Sequence, residues 1–280
     1  MNFKIIHETT YIFDDKVFLE PHYLRFRPKQ TSYIDVTHFS IALKSEPEGH
    51  SVIEDEEHNV IDFCWFGELT NSLTIEVESH VQNKAYNPFN FIIHPDAFNR
   101  IPFTYSDHQY QILFAALQKS PLTEELVEYA EAILNTSHFN TIAFLTNLTS
   151  QIHQDFNVEY REDGPPLSPD QTFKIKKGSC RDLSWMQVNL LRHYGIAARF
   201  VSGYFYFDME KPIYELHAWV EVFIPGTGWL GFDPSHGILT GNTHFSVASS
   251  AIAENTMPVS GGIRGSATSR LVTNLTIEKQ

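Results

Sequence analysis

Over the first hundred residues, apolar side chains recur at every second position. Phe3, Ile5, Tyr11 and Phe13 share one parity. Leu73, Ile75, Val77 and Val81 do the same, with Thr74, Glu76, Glu78 and His80 between them. A period of two turns one face of a strand to a core and the other to water. The stretches 33–43 and 60–66 are β-branched and aromatic, and Glu46-Pro47-Glu48-Gly49 and His58-Asn59 interrupt them as turns. Residues 1–100 therefore read as an antiparallel β domain.

Beyond residue 120 the period lengthens to three and four. Ser120-Pro121 has the form of an N-cap followed by proline at the first helical position. Leu126, Ala130, Ile133 and Leu134 follow as a stripe, and Ile142, Leu145, Leu148 and Ile152 predict a second helix over 141–156. The segment 161–169 reads as a polar, proline-rich loop. A third helix is expected to start near Ser179 and stop at Gly195, a residue suited to helix termination. Strands are expected over 198–207, 214–224 and 228–233, the last two joined as a hairpin across Pro225-Gly226-Thr227-Gly228. The fold class is α+β. Residues 101–245 read as one core, 246–269 as an irregular Ser/Gly/Ala-rich connection, and 270–280 as a strand returning to the N-terminal β domain.

Charge narrows the partners. The chain has 34 acidic and 20 basic residues, a net charge of −14, whereas a nucleic-acid partner needs a basic face. Anionic lipid is disfavoured for the same reason. No apolar run reaches the ~20 residues of a membrane span, and His7 and Glu8 interrupt any secretory core near the N-terminus. The expectation is a soluble, cytoplasmic protein with no nucleic-acid or membrane partner. Oligomeric state is not legible. Two cysteines, Cys64 and Cys180, cannot build a disulfide scaffold or a thiolate zinc site. The 14 histidines form no His-Glu-x-x-His pattern, and no phosphate loop is present, so neither metal nor cofactor is expected. Glu54-Asp55-Glu56-Glu57 reads as a solvated turn.

The sharpest local feature is Lys177-Gly178-Ser179-Cys180-Arg181-Asp182. It sets a cysteine in the first turn of a helix, where free N–H groups and the helix dipole favour thiolate over thiol. The same N–H groups could stabilise an oxyanion beside the sulfur. Taken alone, Cys180 fits a buried structural cysteine equally well. Two further segments change that balance. His217-Ala218-Trp219-Val220-Glu221 alternates so that His217, Trp219 and Glu221 share a strand face. Gly228-Trp229-Leu230-Gly231-Phe232-Asp233-Pro234 ends in a carboxylate on the same hairpin. A cysteine nucleophile needs a histidine to take its proton, and the imidazole needs an acceptor to fix its tautomer. Cys180, His217 and Asp233 can fill those three roles.

These motifs, together with Leu190-Leu191-Arg192-His193-Tyr194-Gly195 and the stretch 196–204, resemble the transglutaminase-like, papain-related superfamily. The β-rich first part resembles the domain that precedes this core in bacterial members, so the resemblance spans nearly the whole chain. It implies a papain/transglutaminase-like core over 101–245, in which the helix bearing the cysteine packs on an antiparallel sheet. It also implies Cys180 as nucleophile, His217 as general base and acid, and Asp233 as orienting carboxylate. Ser179, Arg181, Trp185 and Trp219 are the candidate substrate or oxyanion residues. Arg181 stands where many members have glutamine, and Asp233-Pro234-Ser235 replaces a commoner Asp-Pro-Thr. A subgroup with Cys-Arg-Asp has a tail like the segment 246–262. The expected activity is thiol-dependent acyl transfer from a peptide or protein amide, with water as acceptor in a cysteine protease or amidase. The alternatives are a transglutaminase using an amine acceptor, or a non-catalytic binding module on the same fold.

Strand register adds a condition. A two-residue turn over Gly226-Thr227 would pair Pro225 with Gly228 and set Asp233 opposite Val220, on the wrong face for His217. One extra residue sets His217 opposite Ser235 and makes Asp233 its diagonal neighbour. The expectation is a bulge or equivalent irregular turn between His217 and Pro225.

Overall fold

The computed structural model describes residues 1–161, 164–209, 212 and 214–280. Six strands open the chain: β1 (Asn2–Leu19), β2 (His22–Leu24), β3 (Ile34–Lys44), β4 (Gly49–Glu54), β5 (Val60–Trp65) and β6 (Leu69–Asn83). β1, β6 and β3 lie side by side in one antiparallel sheet, and β2, β5 and β4 in a second. Alternation decides which side chains meet between them. Phe13, Val17, Leu73, Ile75 and Val77 from the first sheet share a core with Leu24, Phe26 and Cys64.

The middle of the chain is helical: α1 (Asp107–Ile112), α2 (Glu124–Thr136), α3 (Thr141–Asp155), α4 (Pro169–Ile175) and α5 (Cys180–His193), with the two-residue strands β7 (Asn157–Val158) and β8 (Lys177–Gly178) paired in parallel. α3 starts where its pattern predicts, because the Asn140 side chain accepts from the Ala143 N–H at 2.9 Å. α2 starts later than Ser120-Pro121 suggests. Its N-cap is Thr123, whose N–H and hydroxyl both donate to Asp170 at 2.9 Å, a distant tie that no local pattern reveals. α4 occupies part of the stretch beyond the proline-rich loop, with Ser168 as N-cap and Pro169 at the first position. α5 ends as expected, with Gly195 at φ +75°.

A five-stranded antiparallel sheet follows, ordered β12 (Ile238–Leu239), β11 (Gly228–Asp233), β10 (His217–Ile224), β9 (Ala198–Phe205), β13 (His244–Ser250). β13 corrects the reading of 246–269 as irregular. Its Ser249 and Ser250 are buried and its residues pair with β9 from His244 to Ser250. Phe245 and Val247 alternate, but the small residues Ala248, Ser249 and Ser250 that follow them serve close packing of an edge strand and cut the pattern short. Helices cover one face of this sheet, where Val220, Val222, Ile224, Leu230 and Phe232 share a core with Leu183, Met186 and Leu190 of α5. The first sheet covers the other, joining Tyr204, Phe245 and Val247 to Phe3, Ile5 and Val81.

The tail closes the structure with β14 (Val259–Ser260), β15 (Ile263–Arg264) and β16 (Ser269–Lys279). β16 runs antiparallel to β1 from Phe3 opposite Lys279 to Phe13 opposite Ser269, which buries Leu275 and Ile277. No helix among the described residues is long and apolar enough to cross a membrane.

His7 stitches the first sheet to the central one. Its Nδ1 lies 3.2 Å from the Tyr204 hydroxyl and its Nε2 3.1 Å from Thr9 Oγ1. Burial pulls this imidazole down to about 4 from 6.5. The unfolded chain thus takes up a proton below pH 6.5 that the folded chain refuses until about pH 4. Stability from a neutral His7 is intact above pH 6.5 and is lost as pH falls towards 4, by at most about 3 kcal/mol. Urea midpoints across that window should fall for the wild type and fall less for His7→Gln. Parallel curves would mean that other groups carry the acid sensitivity.

Candidate active site

The hairpin of β10 and β11 sets the register. Ile224 pairs with Gly228, Phe223 with Trp229, and Val220 with Phe232, without a shift. The connection is the three-residue loop Pro225-Gly226-Thr227, in which the Thr227 N–H donates to the Ile224 carbonyl at 3.0 Å. Gly226 at φ +90° after proline is the arrangement of a type II turn. The extra residue therefore sits in the turn Pro225-Gly226-Thr227, at the end of the stretch where a bulge or equivalent irregular turn is expected, and β10 itself carries no bulge against β11. The consequence for the side chains is the anticipated one: Asp233 reaches His217 diagonally, with His217 Nε2 at 2.7 Å from Asp233 Oδ2.

Cys180 opens α5, half-buried and unpaired with Cys64. Two buried anchors aim it. The Ser184 hydroxyl donates to the Ala218 carbonyl of β10 at 3.1 Å, tying the second turn of the helix beside His217. Asp182 ties the first turn. Its Oδ2 accepts from the Ser179 N–H and hydroxyl at 2.8 Å, and its Oδ1 accepts from Arg161 and the Leu167 N–H at 2.7 Å. Burial opposes this carboxylate, but these donors outweigh it and hold Asp182 below the usual carboxylate range.

The His217 imidazole is almost enclosed, and burial alone would strip its proton. The Asp233 charge and hydrogen bond, with a smaller contribution from the Cys180 side chain, reverse this and push the ring up to about 10. With Nε2 turned to Asp233, Nδ1 is the nitrogen left for the thiol. Asp233 is fully buried. Burial again opposes the charge, yet His217, His236 and His244 hold it well below the ordinary range. His236 Nδ1 stands 2.9 Å and His244 Nε2 3.4 Å from Oδ2. Oδ1 accepts from the Ser235 N–H at 3.0 Å, the Ser235 hydroxyl at 2.6 Å and the His236 N–H at 3.3 Å. His217 Nε2, Asp233 Oδ2 and His236 Nδ1 lie within 4.8 Å of one another, a donor set of the kind that holds divalent metals, but they already satisfy one another.

The four substrate or oxyanion candidates separate. Trp185 is partly exposed and packs, like Cys180, against the small cluster of Phe200, Ala218 and Ala253. Arg181 donates to the Arg161 carbonyl and stands near Glu215, whose carboxyl desolvation pushes up and Arg181 draws back down. Ser179 is buried with its hydroxyl committed to Asp182, which corrects its reading as an oxyanion donor. Trp219 is 2% exposed, which corrects its reading as a substrate contact. Its ring supports the site from behind, 6.2 Å from His217 and edge-on to His244 at 5.3 Å.

Sequence reasoning missed Ser235, His236 and His244. The first two had a signal, since Asp233 two residues before Ser235 is an Asx-turn pattern that bends the chain back over its own carboxylate. His244 had none, because β13 brings it in from another strand. Gly203 was also missed. It pairs with His217, and a Cβ there would lie 2.3 Å from the Phe245 carbonyl oxygen and 2.6 Å from the Trp219 ring. Gly203→Ala is expected to force β9 and β13 apart and cost several kcal/mol, on the order of 3. A thermal melt matching wild type would contradict that packing.

Residues 128–234, which include Cys180, His217 and Asp233, match the family model of the transglutaminase-like superfamily. Residues 3–82 match the bacterial transglutaminase-like N-terminal region. Two curated relatives are the uncharacterized protein YebA of Bacillus subtilis and the uncharacterized protein Rv2569c of Mycobacterium tuberculosis. The first is 40% identical over 76 residues, covering 23% of this chain and 10% of YebA. The second is 30% identical over 118 residues, covering 38% of this chain and 37% of the relative. The chain thus spans between a tenth and little more than a third of these relatives' length. The solved structure of "a Putative Cysteine Protease from Cytophaga hutchinsonii" is 18% identical and superimposes with a TM-score of 0.70 over 100% of this chain and 91% of that one. It shares the fold.

Proposed function

Because this chain carries a core belonging to the transglutaminase-like superfamily behind the bacterial transglutaminase-like N-terminal region, we propose that it is a cysteine-dependent enzyme acting on amide bonds of peptides or proteins. The observation that carries this reading is the 2.7 Å bond from His217 Nε2 to Asp233, which leaves the other face of the imidazole to Cys180. His217 takes the Cys180 proton, and the thiolate adds to the amide carbonyl carbon. The Cys180 N–H precedes the first hydrogen bond of α5, which the Asp182 N–H makes to the Ser179 carbonyl at 3.0 Å, and it can receive the developing oxyanion. His217 then returns the proton to the leaving nitrogen, and an acyl-enzyme thioester remains. Water deprotonated by His217 releases the acid, whereas a primary amine entering in its place gives a new amide.

Hydrolysis is the preferred outcome, because it makes no demand for a second, amine-binding site. The decisive experiment incubates the enzyme with a glutamine-containing peptide library, with and without a fluorescent primary amine. Cleaved or deamidated peptides whose yield the amine leaves unchanged would support hydrolysis. Fluorescent peptides as the main product would replace it with transamidation.

A further inference from the structure

Asp233 has more partners than a catalytic carboxylate needs, and one of them sits at the surface. His236 is 42% exposed at its side chain, while His217 and His244 are 11% and 2% exposed. Its Nδ1 lies 2.9 Å from the same oxygen that His217 engages. Its ring stands edge-on to His217 at 5.1 Å and to Phe205 at 4.8 Å. Its own N–H closes on the other carboxylate oxygen at 3.3 Å, so backbone and ring fix it together.

We propose that His236 is a positioning residue, which shares the Asp233 oxygen with His217 and so limits that carboxylate's hold on the His217 proton. The inference rests on the reading of Cys180, His217 and Asp233 given above. A carboxylate oxygen that accepts two N–H groups divides its lone pairs and charge between them. The positive end of the His236 N–H dipole meets Asp233 Oδ2 within 4.8 Å of the His217 ring nitrogen, and it opposes a second proton there. Both effects act in one direction, easing the proton's return to the leaving group. The titratable groups facing this pair are Cys180 from α5, Asp233 at the end of β11 and His244 from β13. His153 of α3 bonds the Ser235 carbonyl at 2.8 Å and packs against Gly237. Glu215, two residues before His217, interacts with Arg181, which follows Cys180 on α5.

The test uses alkylation of Cys180 by iodoacetate in the full chain, followed against pH. The anionic reagent is drawn to a thiolate–imidazolium pair, so its rate falls as His217 loses its proton. His236→Phe keeps a ring against Phe205 and removes the donor, and its alkaline limb should move up by on the order of 0.5–1 pH unit. His236→Asn retains an N–H within reach and should keep the wild-type limb. His236→Leu should repeat the upward shift if the Phe variant fails to fold. An unmoved or lowered limb in the donorless variants, or an equal shift in the Asn variant, overturns the proposal. If Cys180 in the wild type alkylates no faster than an ordinary exposed thiol, the reading of the site itself fails and the proposal with it.

Discussion

Cys180→Ala is expected to lower amide turnover by at least about 10⁴-fold while leaving the thermal melt within a few degrees of wild type. The sulfur is half-buried at the start of α5, and the ties that aim it run through Ser184 and Asp182, which the substitution leaves in place. Cys64→Ala should do the opposite. Cys64 is 1% exposed in the core between the first two sheets, where burial, with Asp62 adding to it, pushes its thiol up to about 12. Its loss should cost about 1–2 kcal/mol of stability and little activity. Initial rates and melts of both variants check this pair of outcomes. An inactive Cys64 variant with native circular dichroism would move the site.

The second large effect is Asp233→Asn. The amide matches the carboxylate in shape, but six groups approach its two oxygens as donors. An asparagine turns one of those positions into a donor itself, facing either the histidines or Ser235. His217 also loses the charge that outweighs its burial, so the ring becomes neutral and free to take the wrong tautomer. A fall of about 10³- to 10⁴-fold in kcat is expected, with a smaller change in KM. Steady-state kinetics on a fluorogenic amide measures both. A change confined to KM would assign Asp233 to substrate binding.

The parts of this structure that sequence made legible are those whose cause is local. Alternation in 73–81 and the spacing of Leu145, Leu148 and Ile152 each bury one face of a single element, so the pattern survives without knowledge of any partner. The helix start at Cys180 was legible because Gly178 and Ser179 set its turn and cap. The relation of His217 to Asp233 lay between these cases. Parity restricts Asp233 to two registers, and only the three-residue loop at Pro225-Gly226-Thr227 decides between them. What stayed hidden depends on distant chain. The start of α2 is moved by Asp170, 47 residues away. The strand β13 ends in the small residues Ala248, Ser249 and Ser250, which pack closely against β9, and His244 arrives at Asp233 through that strand alone. Ser179 and Trp219 were the right residues in the wrong roles: burial commits one to Asp182 and the other to the back of the histidines.

Intact mass spectrometry after brief exposure to iodoacetamide near pH 6 tests most directly whether Cys180 is held beside an imidazole that keeps its proton. An ordinary thiol is almost wholly protonated there and reacts slowly. A single rapid adduct is expected, mapped by peptide digestion to Cys180, lost in His217→Ala and absent from Cys64. Slow and equal labelling of the two cysteines, or rapid labelling that survives His217→Ala, would contradict it.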